Sequence, residues 1–474
     1  MRARVRGRRA WVLAVVLLAT FAVNLTLTIL GIAIKTIADE FGASTGDTAW
    51  ITLGPIVLAT LLTPPAGRIA DRFGRRRIWL VGFAITIAGM AFSAVAWSLP
   101  ALIAARLLTG FGTAWVLPSG LAMATSHYPP EARSTPIGYW TATVAFAPAL
   151  GIVGGVVVEW LSWRWLFAMQ LPLALLAWLL AFVVFDEQRI ETKGRFDTMG
   201  TVLAAAAVTT LLLGVNQAPK WGWTSAPVLA CIAVAVTATA LFVRTEQRAD
   251  NPIVPLRLFL ERAIANGMTS RFVVNAAYMG SFIVMPLFLG DIWGWDVALV
   301  SFALLPRPIA MGITGPFIPR LTSRLGEGAL TVGGSSLVAA ALVVLALLPD
   351  QPNYPLLLLA LVLQGVGLGL SSSAIGTVVT SRSPRELLGP AASVLSLTSQ
   401  LANSTGIAVF LSLVEVGGGE TVAGSYTFTL ATGAAITVVG VVTAVRMTRA
   451  LRRGGPSVPA AAAIAASAGG GPVT

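Results

Sequence analysis

Apolar blocks of about twenty residues, separated by short basic loops, recur along nearly the whole chain of 474 residues. A helix needs about 20 apolar residues to cross a hydrocarbon core that is about 30 Å thick. The blocks lack the alternating polar period of a membrane barrel strand. With 56% hydrophobic and only 11% charged residues, the chain has too little polar surface for a water-soluble fold. The sequence therefore predicts an all-α polytopic membrane protein.

The apolar blocks define fourteen predicted spans, an even number that places both chain ends on one side of the membrane. The run that begins at residue 11 is too long for the core of a signal peptide, so we interpret it as an uncleaved first span. The predicted spans are 11–34, 47–66, 78–97, 101–124, 136–158, 164–184, 198–216, 226–243, 266–289, 297–318, 329–348, 354–377, 390–413 and 425–445.

The net charge of +12 comes almost entirely from arginine. A basic chain can bind nucleic acid, but here the basic residues lie in the short loops, where they set membrane topology. In the fourteen-span arrangement the side opposite the termini keeps only Lys35, Arg164 and Lys220. By the positive-inside rule both termini are cytoplasmic. We expect a multi-pass protein of a bacterial inner membrane, with the lipid bilayer and not nucleic acid as its surroundings.

The chain also repeats itself. The segment Gly67–Gly74, between spans two and three, resembles Pro319–Gly326, between spans ten and eleven, and Arg106–Gly112 in span four is echoed by Leu361–Gly367 in span twelve. Repeated halves around a midplane cavity are a transporter design. The predicted organisation is a basic cytoplasmic N-terminus (1–10), a six-helix N-terminal bundle (11–197), two inserted helices (198–243), a cytoplasmic linker (244–265), a six-helix C-terminal bundle (266–445) and a disordered cytoplasmic tail (446–474).

The loop after span two contains Gly67-x-x-x-Asp71-Arg72-x-Gly74-Arg75, which resembles the signature loop of the major facilitator superfamily. Together with the motifs below, roughly residues 11 to 450 resemble the fourteen-spanner drug:proton antiporters of that superfamily. The resemblance implies two six-helix bundles plus two inserted helices, and a gating role for this loop. The glycines permit a tight turn, and the aspartate can latch the cytoplasmic face against basic side chains or a helix N-terminus. Alternatively, the arginines only anchor the topology.

Two further motifs carry the resemblance. Arg106 matches the family's intramembrane arginine, which implies a part in proton coupling; the alternative is a structural arginine held by backbone carbonyls. An arginine at a helix centre costs about 2.5–3.5 kcal/mol and is functional by default. In span five, small residues and a proline resemble the motif typical of antiporters and imply export, although ordinary helix packing would also use them. This motif comprises Pro148, Gly151, Gly154 and Gly155.

One departure concerns charge. Members of the family usually carry an aspartate in the first span, but Asn24 and Thr28 are polar and uncharged here, and the acidic residues lie in loops or at span ends. Arg106 and Arg307 lie near predicted span centres, and Arg271 lies at the cytoplasmic end of span nine. A cavity with buried arginine and no buried carboxylate favours anionic or neutral ligands over cations. Prolines flank Arg307, so its position depends on the span boundary.

Polar side chains recur at helical spacing within the spans. In a helix surrounded by lipid such residues point inward, so together they outline a central cavity, although each could instead join two helices. The predicted cavity residues are Asn24, Thr28, Thr109, Thr113, Tyr139, Arg271, Asn275, Tyr278, Arg307, Gln364, Gln400 and Asn403.

The sequence contains no G-x-x-x-x-G-K-[ST] phosphate loop, no metal cluster and no nucleophile constellation. We therefore expect no enzyme, no metal and no cofactor, with the proton gradient as the energy source. The predicted function is a monomeric proton-coupled antiporter that exports small molecules, as in multidrug or antibiotic efflux. Two alternatives are a dedicated exporter of one anionic or neutral metabolite, and a lipid flippase or a sensor that no longer transports.

The predicted topology can be tested with reporter fusions. Alkaline phosphatase, which is active only after export, should be active when inserted at residues 222–225 and inactive when inserted at residues 190–195. A green fluorescent protein fused after Arg453 should fluoresce, since it folds in the cytoplasm. Phosphatase activity at residues 190–195 would contradict the fourteen-span arrangement.

Overall fold

The computed structural model describes residues 2–25, 36–43, 48, 50–149, 161–187, 198–248, 257–384, 387–417 and 423–453. Within these ranges the chain forms helices, turns and bends without a β-strand, which confirms the predicted all-α fold. The helices are α1 (Arg2–Asn24), α2 (Trp50–Phe73), α3 (Arg75–Ala94), α4 (Leu99–Ser126), α5 (Ser134–Ala149), α6 (Trp165–Ala168), α7 (Leu171–Val184), α8 (Thr198–Trp221), α9 (Ala226–Arg248), α10 (Arg257–Leu260), α11 (Arg262–Asp291), α12 (Val297–Ala303), α13 (Pro306–Thr314), α14 (Ile318–Ala346), α15 (Tyr354–Arg382), α16 (Leu388–Val416) and α17 (Ala423–Arg452).

Within the described ranges, nine helical stretches are long and apolar enough to cross a membrane. One of them, Pro306–Ala346, has 41 residues and would be about 60 Å long if straight, twice the hydrocarbon core. It bends at Gly326 and so corresponds to two predicted spans. The protein is a multi-pass membrane protein, while the count of fourteen spans and the domain boundaries stay predictions.

Prolines interrupt two of the predicted spans. The span predicted as 297–318 is not continuous, because α12 ends at Ala303 and α13 begins at Pro306. Proline has no N–H group and fits the first turn of a helix, where that group would have no partner. In the same way, the span predicted as 164–184 is divided between α6 and α7, just before Pro172.

The two halves, which are the predicted bundles 11–197 and 266–445, have matching tight turns and matching helix crossings. Gly74 and Gly326, at corresponding positions of the repeated loop, have φ values of 103° and 79°, which favour glycine. In the N-terminal half, Gly112 of α4 lies directly against the backbone of α3 at Gly82. In the C-terminal half, a Cβ atom added to Gly367 of α15 would lie 2.7 Å from the Gly334 carbonyl oxygen of α14. The sequence repeat thus reflects a repeated helix crossing at the closest approach that two backbones can make.

The halves meet along two lines of helices. On one line α2 packs against α16, and on the other α5 packs against α13 and α15. Helix α8 packs against both α2 and α16 and therefore covers the first line, while α9 packs against α8. The turn between α8 and α9 is held to the C-terminal half, since the Trp223 indole donates a hydrogen bond of 2.5 Å to the Ser412 hydroxyl.

Two adjacent glycines of α14 test the close crossing. A Cβ atom on Gly334 would lie 2.5 Å from the Gly367 carbonyl oxygen, whereas a Cβ atom on Gly333 meets nothing within 4 Å. We expect Gly334→Ala to lower the free energy of unfolding by about 1–3 kcal/mol through overpacking. Gly333→Ala should raise it by roughly 0.5–1 kcal/mol, because alanine is the better helix former. Thermal unfolding in detergent would check both, and equal shifts would contradict the crossing.

Candidate functional site

Uncharged polar side chains join the two halves inside the membrane. The Ser373 hydroxyl of α15 donates to the Thr141 hydroxyl of α5 at 3.0 Å. On the other line, the Gln400 amide nitrogen of α16 donates to the Thr63 hydroxyl of α2 at 3.5 Å. Thr63, Thr141 and Ser373 are buried. We call these four residues the polar seam; it is the place where the halves must separate if they move.

Arg271 is bonded to the sequence neighbours of two polar-seam residues. Its Nε atom donates to the Ser399 hydroxyl at 2.9 Å, and its Nη1 atom donates to the Ser372 hydroxyl at 2.7 Å and to the Ser372 carbonyl oxygen at 3.1 Å. Ser372 and Ser399 immediately precede the seam residues Ser373 and Gln400. The sequence placed Arg271 at the end of a span, but α11 begins earlier, at Arg262, so Arg271 lies about two and a half turns inside the helix.

A second arginine, Arg307, is fully buried within the C-terminal half. Its guanidinium carbon lies 4.6 Å from the ring centre of Tyr278 and 4.4 Å from that of Phe282. Nη1 donates to the Gln364 side-chain oxygen at 2.9 Å, and the Gln364 amide nitrogen donates to the Ser281 hydroxyl at 2.7 Å. The aromatic faces offset part of the cost of burying this cation, although Nε and Nη2 find no hydrogen-bond partner among the described residues.

Arg106 is held in the N-terminal half in a similar manner. Its Nε atom donates to the Ile51 carbonyl oxygen at 3.2 Å, and its guanidinium carbon lies 5.5 Å from the ring centre of Phe167. Nη1 has no partner in the described part of the chain. The residue is about two turns from the start of α4, midway between that end and the helix centre. The neighbouring Thr109 donates to its own helix, at the Ala105 carbonyl, and packs against Gly89 of α3.

Ion pairs in the described residues do not include any of these three arginines. A buried cation without a carboxylate is costly unless hydrogen bonds and ring faces compensate for lost water. The contacts to serine, glutamine, backbone carbonyls and aromatic rings supply that compensation. They leave the positive charges unneutralised, so the interior of the protein around them has a positive electrostatic field.

The other predicted cavity residues fall into several groups. Asn24, Thr113 and Asn275 donate to carbonyls of their own helices, at 2.8, 3.0 and 2.8 Å. Tyr139 is 38% exposed. Asn403, one turn beyond Ser399, has a buried side-chain oxygen with no partner in the described ranges. Thr28, Gly151, Gly154, Gly155 and the side chains of Asp71 and Pro148 lie outside the described residues, and the roles assigned to them stay predictions.

The predicted gating loop packs against the end of α7. Gly67 lies in α2, Arg72 stacks 5.6 Å from the ring centre of Phe73, and Arg75 is buried. Arg76 donates to the Phe182 carbonyl oxygen at 2.8 Å, and Arg77 lies 3.6 Å from Glu187. Cations are favourable at a helix C-terminus, where carbonyls lack partners.

Two acidic residues that contact the arginine-rich loops were not predicted from the sequence. Glu187 occupies the space beside Gly74 that a side chain there would fill, and Asp186 forms an ion pair with Arg8. The signal was an Asp-Glu pair that directly follows an apolar span and faces loops rich in arginine.

On the same side of the membrane Arg133 connects the halves. It precedes α5 and is buried, and its guanidinium donates to the Thr380 carbonyl oxygen in the last turn of α15. One helical turn deeper in the membrane, Ile137 of α5 packs against Gly376 of α15. Arg133 thus satisfies a carbonyl that the helix end leaves without a partner, and it holds the halves together at the side of the arginine-rich loops.

The opposite side carries a polar cluster that belongs to the N-terminal half. Arg164 donates to Glu40 at 2.8 Å and to the Ala96 carbonyl oxygen at 3.0 Å, and the Trp163 indole donates to the second Glu40 oxygen at 2.6 Å. The hydrogen bond from Trp163 is the main reason that the pKa of Glu40 lies below its usual value. The carboxylate is therefore charged at neutral pH, and Glu40 and Arg164 together join three connecting segments, those that contain Glu40, Ala96 and Trp163.

Two similar helical halves that meet at a buried polar seam define a membrane transporter. The sequence profile described as Major Facilitator Superfamily matches residues 16–407 and 267–465. The chain belongs to the major facilitator superfamily. Members are transporters, not enzymes, and need no cofactor; within the described residues no group of His, Cys, Asp or Glu side chains could hold a metal ion.

Curated relatives cover most of the chain. The tetracenomycin C resistance and export protein of Streptomyces glaucescens is 32% identical over 411 residues, 85% of this chain and 76% of that protein. The multidrug resistance protein Stp of Mycobacterium tuberculosis is 28% identical over 84% of this chain and 74% of its own length. The methylenomycin A resistance protein of Bacillus subtilis is 28% identical, with coverages of 84% and 86%.

A solved structure confirms the fold. The crystal structure of the human organic anion transporter MFSD10 aligns with a TM-score of 0.67, over 92% of this chain and 99% of that chain. Its sequence identity of 16% limits this similarity to the fold.

The contact between the halves can be tested by cross-linking. In a Cys231→Ser background, Thr141→Cys with Ser373→Cys should form a disulfide under mild oxidation, because the two hydroxyls are 3.0 Å apart. Transport should fall at least about tenfold and recover with a reductant, since closed halves cannot separate. The control pair Thr113→Cys with Ser373→Cys should not cross-link. Undiminished transport by the fully cross-linked protein would contradict movement at the seam.

Proposed function

We propose that the protein is a proton-coupled antiporter that exports small molecules, with drugs or antibiotics as substrates, from the cytoplasm of a bacterium. The observation that carries this proposal is the similarity, over about 85% of the chain, to proteins described by resistance and export. The arginine-rich loops support an inner-membrane location with both termini in the cytoplasm, and we propose that one chain acts alone.

The contacts between the halves support an alternating-access cycle. Arg133 and Ile137 hold α5 to α15 on the arginine-rich side, and the polar seam joins the halves deeper in the membrane. In the proposed topology this arrangement is closed to the cytoplasm. Reopening to the cytoplasm requires the Arg133 contact and the seam to break, and their modest hydrogen bonds suit a contact that forms and breaks in each cycle.

Proton coupling is proposed to involve Arg106. Its guanidinium is buried, has one donor without a described partner and lies against a backbone carbonyl of α2, a helix that also contacts the C-terminal half. A change in the charge or the hydrogen bond of Arg106 would therefore alter α2, and with it one of the contacts between the halves. The predicted gating segment Gly67–Arg75 is proposed to act with it, because Arg76 and Arg77, which follow it in α3, hold the end of α7 while α2 moves.

A narrower function is the second candidate: a dedicated exporter of one anionic or neutral metabolite. It is favoured by the three buried arginines, which have no carboxylate partner in the described residues. A broad resistance profile of expressing cells would support drug efflux, whereas loss of accumulation of a single compound would support the narrower exporter.

Efflux from intact cells tests the proposed function. Cells expressing the protein should lower their content of exported drugs and dyes, and a protonophore should abolish the difference. Arg106→Ala should reduce the efflux rate at least about tenfold, because removal of a buried functional charge affects every cycle. Arg453→Ala, exposed just after the end of α17, is the control, and its efflux rate should be unchanged. Efflux that persists with the protonophore would overturn proton coupling.

A further inference from the structure

We propose that Arg271 binds the negatively charged group of the exported molecule, so that the substrate class is the organic monoanion, for example a carboxylate, enolate or phenolate. This inference deepens the proposed function and rests on it, since it names the charge of the molecule that is exported. It is carried by the position of Arg271 relative to the polar seam.

Arg271 lies where a substrate must pass between the halves. Its two side-chain partners, Ser372 on α15 and Ser399 on α16, are each followed by a residue that contacts the other half. On both lines of contact the guanidinium is therefore bonded to the residue that directly precedes a seam residue. When the seam opens, the surface that is uncovered on the C-terminal half lies beside the helix segments that hold this cation.

The guanidinium is held in a fixed position with donors to spare. Nε and Nη1 are oriented by serine hydroxyls and a carbonyl, all neutral groups, while Nη2 makes no hydrogen bond to a described residue. The side chain keeps 6% of its surface exposed. An oriented guanidinium with free N–H groups matches the geometry of a carboxylate or a similar oxyanion, and charge-assisted hydrogen bonds are the stronger kind.

The surroundings disfavour an organic cation. Arg307 places a second positive charge against Tyr278 and Phe282, which lie about 10 Å and about 16 Å beyond Arg271 along the same helix. The aromatic faces that would otherwise attract a cation are already occupied by Arg307. No ion pair of the described residues neutralises either arginine.

An anionic substrate also changes the energetics of export. An anion that leaves the cytoplasm moves in the direction that the membrane potential, negative inside, favours. Each elementary charge multiplies the attainable concentration ratio by a factor on the order of tens. Export of a monoanion in exchange for a proton transfers both charges favourably, so the potential contributes to transport even where the proton gradient is small.

Binding to the purified full chain tests the role of Arg271. The probes are 1-pyrenebutyrate, 1-pyrenebutanol and 1-pyrenebutylammonium, which share a ring and chain and differ in charge at neutral pH. The wild type should bind the butyrate at least about tenfold more tightly than the butanol, and the ammonium most weakly. R271Q should weaken butyrate binding at least about tenfold and leave butanol binding within twofold, while R271K should retain an intermediate preference for the anion.

The matched control is R262Q, which removes a positive charge from the exposed start of the same helix. It should bind all three probes as the wild type does. The proposal is overturned if R271Q binds the butyrate within twofold of the wild type, if R262Q loses the same preference, or if the wild type binds the ammonium best.

A measurement on the wild type alone keeps the test valid where R271Q does not fold. In proteoliposomes on a solid-supported membrane, addition of 1-pyrenebutyrate should give a transport current, because exchange of a monoanion for a proton moves two charges per cycle. Exchange of the neutral 1-pyrenebutanol moves one charge and that of the ammonium none, so the butanol current should be smaller. The absence of a butyrate current, or a butanol current at least as large, would overturn the proposal.

The two proposals fail in different ways. Protonophore-sensitive efflux of cationic dyes by a wild type that ignores the butyrate would leave proton-coupled export standing and overturn the anion site. Arg271-dependent butyrate binding, without extrusion of any compound under a proton gradient, would support the anion site and overturn proton-coupled export.

Discussion

Hydrocarbon offers no hydrogen-bond partners, and the rest of this structure depends on that constraint. The backbone satisfies itself within helices, and hydroxyl and amide side chains such as Thr113 and Asn24 turn back to carbonyls of their own helix. Where the helices are interrupted, as before Pro306, the neighbouring Leu304 packs against the core of the C-terminal half. The polar groups that bond across helices, and above all across the halves, are therefore exceptions. They mark positions where the protein needs something besides helix stability.

The buried arginines are the most costly of these exceptions, and each is compensated differently. Arg271 relies on two serines, Arg307 on aromatic rings and a glutamine, and Arg106 on a backbone carbonyl and one ring. None has a carboxylate partner in the described residues. A protein that needed only to bury these positions would be more stable with apolar side chains of similar size. The retained charges therefore point to a task that needs a positive field.

The packing within each half and the packing between the halves share one feature and differ in another. Within a half, helices cross backbone to backbone at glycines such as Gly112 and Gly367. Between the halves, Gly138 of α5 also meets Gly315 backbone to backbone, and hydroxyl and amide contacts and the Arg133 bond to a helix end add polar contacts. Two halves joined by such polar contacts are suited to rocking motion. Helix α8, which contacts both halves, covers one of the two lines along which they meet.

The membrane helices and the matching turns of the two halves were determined by the sequence alone. Hydropathy and block length predict the membrane helices, and the repeat of Gly67–Gly74 as Pro319–Gly326 predicts matching turns, because these properties depend on residues close together in the chain. Local sequence did not reveal that Arg271 is about two and a half turns inside its helix, that Glu187 packs beside Gly74, or that Ser372 and Ser399 hold the Arg271 guanidinium. Only the tertiary structure decided these points, because a buried charge takes its partners from helices distant in sequence, and the spacing along one helix does not specify what faces it.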